Sequence, residues 1–123
     1  MIEIDWLEDG ILKWTFHKGW DKQALLATGE TYRTFYPELD RPHCVIIDMS
    51  ESTKLPSGVL GVFPSVARNA HLAPRRADHI YVIGASHLVH TLADIFAKAF
   101  GGNFTFADSL EEAVKSARAV LTH

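Results

Sequence analysis

The sequence predicts a single α/β domain built on one mixed β-sheet, and three observations lead to this fold class. The first residues alternate apolar and polar side chains on either side of an Asp-Gly turn, which is typical of a β-hairpin. Later apolar segments alternate between strand-like runs and helix-like periodicity, which favours parallel strands joined by helices. No linker or repeat divides the 123 residues, so we expect one domain over residues 1–123.

The N-terminal third is expected to form the hairpin and a first helix. Apolar and polar residues alternate over residues 2–6 and again over 12–16, with Gly10 in the turn between them. Asp21 suits the N-cap of a helix that runs to about Tyr36, where a proline follows. The hairpin should therefore add antiparallel strands at one side of the sheet.

The rest of the chain is expected to alternate strands with helices. Strands are predicted at 44–49, 79–83 and 103–107, and helices at 58–72, 86–100 and 110–121. Pro64 either kinks the second helix or marks its first turn. Ser109, with Glu112 three residues later, forms a capping box for the last helix. The predicted order is β-β-α-β-α-β-α-β-α.

Composition excludes several classes of function. The formal net charge of −3 argues against nucleic-acid binding, which needs many cationic contacts to phosphate. No apolar run approaches the roughly 20 residues that span a bilayer, and the first residues lack the pattern of a signal peptide. Cys44 is the single cysteine and cannot form an internal disulfide. We therefore expect a cytoplasmic protein without a membrane span.

Catalytic and cofactor motifs are absent from the sequence, so we expect a binding protein that is not an enzyme and carries no cofactor. There is no nucleophile elbow, phosphate-binding loop or dinucleotide fingerprint. His43 and Cys44 are neighbours at the start of a strand and should face opposite sides of the sheet. They could therefore not act together as a catalytic Cys–His pair. His87 and His90 could share a helix face, but no third ligand has suitable spacing, so no metal site is predicted.

The segment after the third predicted strand resembles the signature of STAS domains, which sulfate transporters and anti-sigma-factor antagonists share. In that family a strand ending in Asp-Leu-Ser leads to an Asp-Ser-x-Gly-Leu-Gly loop at a helix N-terminus. Residues 48–50 match the strand end, and residues 56–61 match the loop. Pro56 replaces the loop aspartate, and Val59 replaces the first loop glycine.

The C-terminal half resembles the SpoIIAA-like branch of this family. Residues 82–86 are similar to its Val-Gly-x-Ser-like turn, and residues 106–113 are similar to its phrase Phe-Asp-Ser-Leu-Glu-Glu-Ala. The resemblance covers nearly the whole chain. It implies a SpoIIAA/STAS fold and a non-enzymatic regulatory role that depends on binding a protein partner. The family's phosphorylated loop serine falls on Ser57.

The resemblance implies that the loop and helix at residues 50–63 bind the partner. The candidate partner-binding residues are Asp48, Ser50, Ser57, Val59 and Phe63. The sheet should cover most of this apolar helix, while Val59 and Phe63 reach outward. Ser57 is also a candidate phosphoacceptor, because a helix N-terminus favours a phosphate. The alternative is that Ser57 only caps the helix.

Two other groups of residues leave alternatives open. Arg68, Arg75 and Arg76 could hold an anion, or they could be the solvated end of a helix. A pocket between hairpin and helices would instead make the chain a carrier or sensor of a small apolar ligand, and its lining would be Trp14, Trp20, Phe35, Tyr36 and Phe63. The sequence also leaves a homodimer open, since two-fold dimers are the commonest soluble oligomers.

Overall fold

The computed structural model describes residues 1–52, 55–72, 74–84, 91 and 103–122, without the side chains of residues 60, 63, 67 and 69–71. The predicted helix at 86–100, with His87 and His90, lies outside the described residues apart from Thr91. No helix in the described ranges is long and apolar enough to cross a membrane.

In the described ranges, five strands form one mixed sheet in the order β1-β2-β3-β4-β5. β1 pairs antiparallel with β2, and every other neighbouring pair is parallel. The elements are β1 (Ile2–Glu8), β2 (Ile11–Phe16), α1 (Lys22–Arg33), a 3₁₀ helix (Tyr36–Glu38), β3 (Cys44–Asp48), α2 (Val59–Leu72), β4 (His79–Ile83), β5 (Phe104–Ala107) and α3 (Leu110–Leu121). The predicted mixed sheet, with the hairpin at one side, is confirmed.

The first helix is shorter than the sequence predicted, because α1 ends at Arg33 and not near Tyr36. Its start is as predicted, since the Asp21 carboxylate accepts a hydrogen bond from the Ala24 backbone N–H at 2.9 Å. Pro37 explains the early end. A proline ring clashes with the carbonyl four residues earlier, here that of Arg33, and the chain continues instead in the 3₁₀ helix.

Both faces of the sheet are buried, and β3 shows this most clearly. Val45 and Ile47 pack into a core that includes residues of α1 and α2. Cys44 and Ile46 pack on the opposite face against α3. All four side chains are at most 6% exposed. This two-sided burial explains why β3 is an unbroken apolar run, as expected of an inner strand in a parallel sheet.

The thiol of Cys44 is part of this packing. Burial raises its pKa to about 11, so the thiol stays protonated at neutral pH. His43 is also buried and donates a hydrogen bond from Nδ1 to the Arg41 carbonyl, 2.8 Å away. Burial lowers the pKa of His43. Both side chains are therefore uncharged at neutral pH.

Alanines allow α3 to lie close to the sheet. Ala113 and Ala117 are fully buried, and the carbonyl oxygen of Ala117 lies 4.0 Å from the sulfur of Cys44. The predicted N-cap is confirmed, because the Ser109 hydroxyl accepts a hydrogen bond from the Glu112 backbone N–H at 3.1 Å. The cap fixes where α3 begins, and the alanines fix how near it packs.

Replacing Ala117 by leucine should destabilise the protein by about 1–3 kcal/mol, because the larger side chain has no space between α3 and β3. Ala119→Leu is the matched control on the exposed face of the same helix, and it should change stability by less than about 0.5 kcal/mol. Urea unfolding followed by circular dichroism measures both. Equal destabilisation by the two variants would contradict the close packing of α3.

Candidate functional site

The carboxyl ends of the parallel strands meet at one edge of the sheet. Thr15 near the end of β2 pairs with Asp48, the last residue of β3, and Asp48 pairs with Ile83, the last residue of β4. Ile83 in turn pairs with Ala107, the last residue of β5. The loops that follow these strands therefore emerge side by side, at the edge where binding sites of parallel sheets usually lie.

Asp48 fixes the start of the β3–α2 loop, which we define as residues 49–58 and of which residues 53 and 54 lie outside the description. One carboxylate oxygen accepts a hydrogen bond from the Ser50 backbone N–H at 2.9 Å. The other lies 3.5 Å from the Lys13 ammonium. The Asp48 side chain is only 16% exposed, so it shapes the loop from within.

A glycine contact sets the position of this loop against β4. Gly84 follows β4 with φ of +71°, a conformation that costs side-chain-bearing residues about 1–2 kcal/mol. A Cβ atom at Gly84 would lie 2.5 Å from the backbone of Ser50. The Met49 backbone N–H also donates to the Ile83 carbonyl at 2.9 Å. The loop can approach β4 this closely only because residue 84 has no side chain.

The segment between β2 and α1 holds the same loop from the other side. The buried Trp20 indole N–H donates to the Ser52 hydroxyl at 2.8 Å. The Lys18 backbone N–H donates to the Glu51 carboxylate at 3.2 Å, and the His17 ring lies 3.0 Å from that carboxylate. Residues 50–52 are thus held between β4 and the end of the hairpin.

The contacts around His17 and Glu51 favour the charged form of both side chains. Hydrogen bonds with Glu51 and then Glu3 raise the pKa of His17. A hydrogen bond from the Lys18 backbone N–H, followed by one with His17, lowers the pKa of Glu51. Both carboxylate partners of His17 are about half exposed, whereas the Asp48 side chain is only 16% exposed.

The N-terminus of α2 lies at the far end of the loop. Ser57 and Gly58 are exposed, and Gly58 has φ of +76°. A Cβ atom at Gly58 would lie 3.3 Å from Cδ and 3.6 Å from Nζ of Lys22. The Lys22 side chain therefore reaches from α1 to the start of α2 and brings a positive charge close to Ser57.

The structure places the five candidate partner-binding residues differently from one another. Ser50 and Ser57 are exposed as a partner surface requires. Val59 is only 1% exposed and belongs to the core, so the expectation that it reaches outward is wrong. The first turn of α2 directs Val59 toward the sheet. The side chain of Phe63 lies outside the description.

An exposed stripe, which the sequence reasoning missed, runs from the end of the β3–α2 loop along α2. Ser57, Gly61, Pro64 and Arg68 are all exposed and follow one another at helical spacings of four, three and four. Pro64 lies inside α2, beyond its first turn. The helical spacing of Ser57, Gly61 and Pro64 is visible in the sequence. It does not stand out when only apolar residues are considered as contacts.

The three arginines of the predicted anion site do not lie together. Arg75 donates to the Asp78 carboxylate at 3.0 Å, and both residues precede β4. Arg75 and Arg76 therefore lie toward the amino-terminal edge of the sheet, opposite the β3–α2 loop. Arg68 is exposed on α2. The anion-binding role of the three arginines stays a prediction.

The aromatic residues of the predicted ligand pocket pack as core side chains. Trp14 and Trp20 are at most 9% exposed and belong to one apolar cluster, against which Phe35 and Tyr36 pack. Ring centroids lie 4.8–6.3 Å apart in the pairs Phe16–Trp20, Trp14–Tyr32, Tyr32–Tyr36 and Trp6–Phe35. These contacts account for the aromatic residues without a ligand, so the carrier alternative gains no support.

Metal ligands do not gather within the part of the chain that the structure describes. No group of three or more histidine, cysteine, aspartate or glutamate side chains there is arranged to hold an ion. The pair His87 and His90 lies outside that part.

The fold is similar to that of two solved structures. No protein-family model matches the chain, and no curated protein matches its sequence. A serine-to-glutamate variant of RsbS from Moorella thermoacetica matches with a TM-score of 0.69 at 15% identity, over 99% of this chain and 98% of that one. The Bacillus cell fate determinant SpoIIAA in its phosphorylated form matches with a TM-score of 0.62 at 14% identity, over 94% of this chain and 98% of that one. The chain has the SpoIIAA/STAS α/β fold, which confirms the fold that the sequence motifs implied.

Replacing Gly84 by alanine should destabilise the protein by about 2–5 kcal/mol, since backbone strain and overlap with Ser50 add together. Gly19→Ala is the matched control. Gly19 has a similar φ of +85°, but a Cβ atom there meets nothing within 4 Å, so only the strain of about 1–2 kcal/mol is expected. Chemical denaturation of both variants gives the difference. An equal loss in both would mean that Ser50 does not depend on the missing side chain.

Proposed function

We propose that this chain is a non-enzymatic regulatory domain that binds a protein partner through the β3–α2 loop and the exposed stripe of α2. The observation that carries the proposal is the meeting of these two features at Ser57, which lies in the loop and is the first residue of the stripe. The similarity in fold to RsbS and SpoIIAA supports a regulatory role. Binding of a protein partner, formation of a homodimer and a cytoplasmic location stay predictions.

The shape of the stripe suits close contact with a partner. A Cβ atom at Gly61 would meet nothing within 4 Å, so the backbone of α2 is open to an approaching surface there. The loop beside it is already held by hydrogen bonds to Ser52 and Glu51. A preformed surface loses less conformational entropy on binding than a mobile one, which supports recognition without large rearrangement.

The chemistry of the described residues supports binding and not catalysis. Cys44 is the only cysteine of the chain, and its thiol stays protonated at neutral pH because burial raises its pKa. His17 lies between two carboxylates, and Asp48 is engaged with Lys13 and a backbone N–H. These side chains hold the loop in place, which is a structural task.

Ser57 is the position at which we propose that binding is regulated by phosphorylation. The side chain is exposed and precedes α2, and the Lys22 ammonium lies against the neighbouring Gly58, so we expect a phosphate there to meet both a helix N-terminus and a cation. One similar structure is that of a phosphorylated protein, and the other carries glutamate in place of a serine. A phosphate adds about two negative charges, enough to repel or recruit a partner at the centre of this surface.

Gly61→Arg should abolish capture of the partner, because a long charged side chain would stand in the middle of the stripe. Gly61→Ala is the control. It should preserve capture and raise stability by about 0.5–1 kcal/mol, since alanine favours a helix over glycine. Quantitative mass spectrometry of proteins retained from native lysate compares the variants. If Gly61→Arg is folded and retains the same proteins as the wild-type chain, the stripe does not bind the partner.

Ser57→Glu should change the retention of the partner, whereas Ser57→Ala should leave it close to that of the wild-type chain, because only glutamate brings negative charge to the N-terminus of α2. Peptide mass spectrometry of the protein from its native cell should also find phosphate on Ser57. Absence of modified Ser57 under all growth conditions, together with equal retention by both variants, would rule out regulation at this residue.

A further inference from the structure

His17 lies between two carboxylates in a geometry that requires a charged ring. Its Nε2 atom is 2.7 Å from Oε1 of Glu3, and its Nδ1 atom is 3.0 Å from Oε2 of Glu51. Ionised carboxylates only accept hydrogen bonds, and a neutral imidazole has a single N–H to donate. Both contacts are hydrogen bonds only when the ring carries two protons. The geometry therefore assigns an imidazolium to His17.

The three residues join parts of the chain that are far apart in sequence. Glu3 lies on β1, His17 directly follows β2, and Glu51 lies in the β3–α2 loop. The Lys18 backbone N–H adds a second hydrogen bond to Glu51, and the His17 backbone N–H donates to the Met1 carbonyl at 2.9 Å. His17 is thus fixed to the hairpin, and its ring reaches across to the loop.

Other charged groups of the described residues surround this cluster without replacing His17. Asp48, at the end of β3, raises the pKa of Glu51 electrostatically but less than the hydrogen bonds lower it. Lys13 from β2 lies 3.5 Å from Asp48, so its charge is already matched. When His17 loses its proton, Glu3 and Glu51 face a neutral ring that can donate to only one of them.

We propose that Glu3, His17 and Glu51 form a proton-dependent latch, in which the protonated ring of His17 ties Glu51 of the β3–α2 loop to Glu3 of the hairpin and deprotonation breaks one of these two contacts. The latch deepens the proposed function, because this loop is part of the proposed partner surface. The latch itself is a property of the chain alone and is testable without the partner.

The two pKa shifts define the pH range in which the latch is closed. The pKa of His17 is raised above its ordinary value of 6.5, so the stability from the latch is complete below 6.5 and is lost as the pH rises through the raised pKa. The pKa of Glu51 is lowered from 4.5, so its contribution is complete above 4.5 and is lost as the pH falls through the lowered pKa. The latch is fully closed in mildly acidic solution and opens on the alkaline side.

The test is an NMR titration of the whole chain, with the ring carbons of histidine and the backbone nitrogens labelled. The His17 ring should titrate with a midpoint above 6.5. The backbone amide signals of Lys18 and Glu51 should shift with the same midpoint, because Lys18 donates to the carboxylate that His17 holds. A midpoint at or below 6.5, or amide signals that do not follow the ring, would overturn the latch.

Variants separate the latch from general effects of charge. Glu51→Gln should lower the midpoint of His17, and Glu3→Gln should lower it independently through the other ring nitrogen. Glu30→Gln removes an exposed carboxylate on α1 and should leave the midpoint unchanged. If neither Glu51→Gln nor Glu3→Gln changes the midpoint of His17, the latch is refuted even if the partner binds. If Gly61→Arg captures the partner as well as the wild-type chain does, the proposed function is refuted, but the latch is not.

Discussion

Complete burial of β3 is the constraint on which the rest of the molecule depends. A strand with no solvent-exposed face needs a hydrogen-bonded neighbour on each edge and helices above and below. Here β2 and β4 are the neighbours, α1 and α2 cover one face, and α3 covers the other. Because these neighbours run parallel to β3, their carboxyl ends align. The candidate binding surface therefore forms where the core requires the loops to emerge.

Local polar contacts act together with the burial of Met49 to shape the loop that leaves β3. Asp48 accepts a hydrogen bond from a backbone N–H within the loop, and Trp20 donates one to the loop from its indole N–H. Gly84 has no side chain and therefore leaves room for the loop. Each contact comes from a different element of the fold. The exposed residues of the loop, such as Ser50, are thus positioned by polar contacts beside buried ones, such as Met49 and Ser52.

The hairpin, the apolar strand at residues 44–48 and the N-caps Asp21 and Ser109 could be predicted because each depends on neighbours in sequence. The STAS-like motif added the overall fold. The end of α1 was placed too late because the helical periodicity continues up to Pro37, and a clash with an earlier carbonyl stops the helix sooner.

The exposure of the candidate partner-binding residues was only partly predictable. Ser50 and Ser57 are exposed as expected, whereas Val59 is buried. In a helix that is apolar on most sides, periodicity does not tell which side faces the sheet. The contacts of His17 with Glu51 and Glu3 span 34 and 14 residues, so only the three-dimensional arrangement reveals them.

Pro64 gives the exposed side of α2 a backbone property that an ordinary helix lacks. Proline has no N–H, so the carbonyl of Leu60, four residues earlier, loses its donor within the helix. That carbonyl points along the helix toward Pro64, on the same side as Gly61. It is an acceptor that water or an incoming N–H or hydroxyl group can satisfy. The stripe can thus be recognised through the main chain, which remains the same whatever side chains surround it.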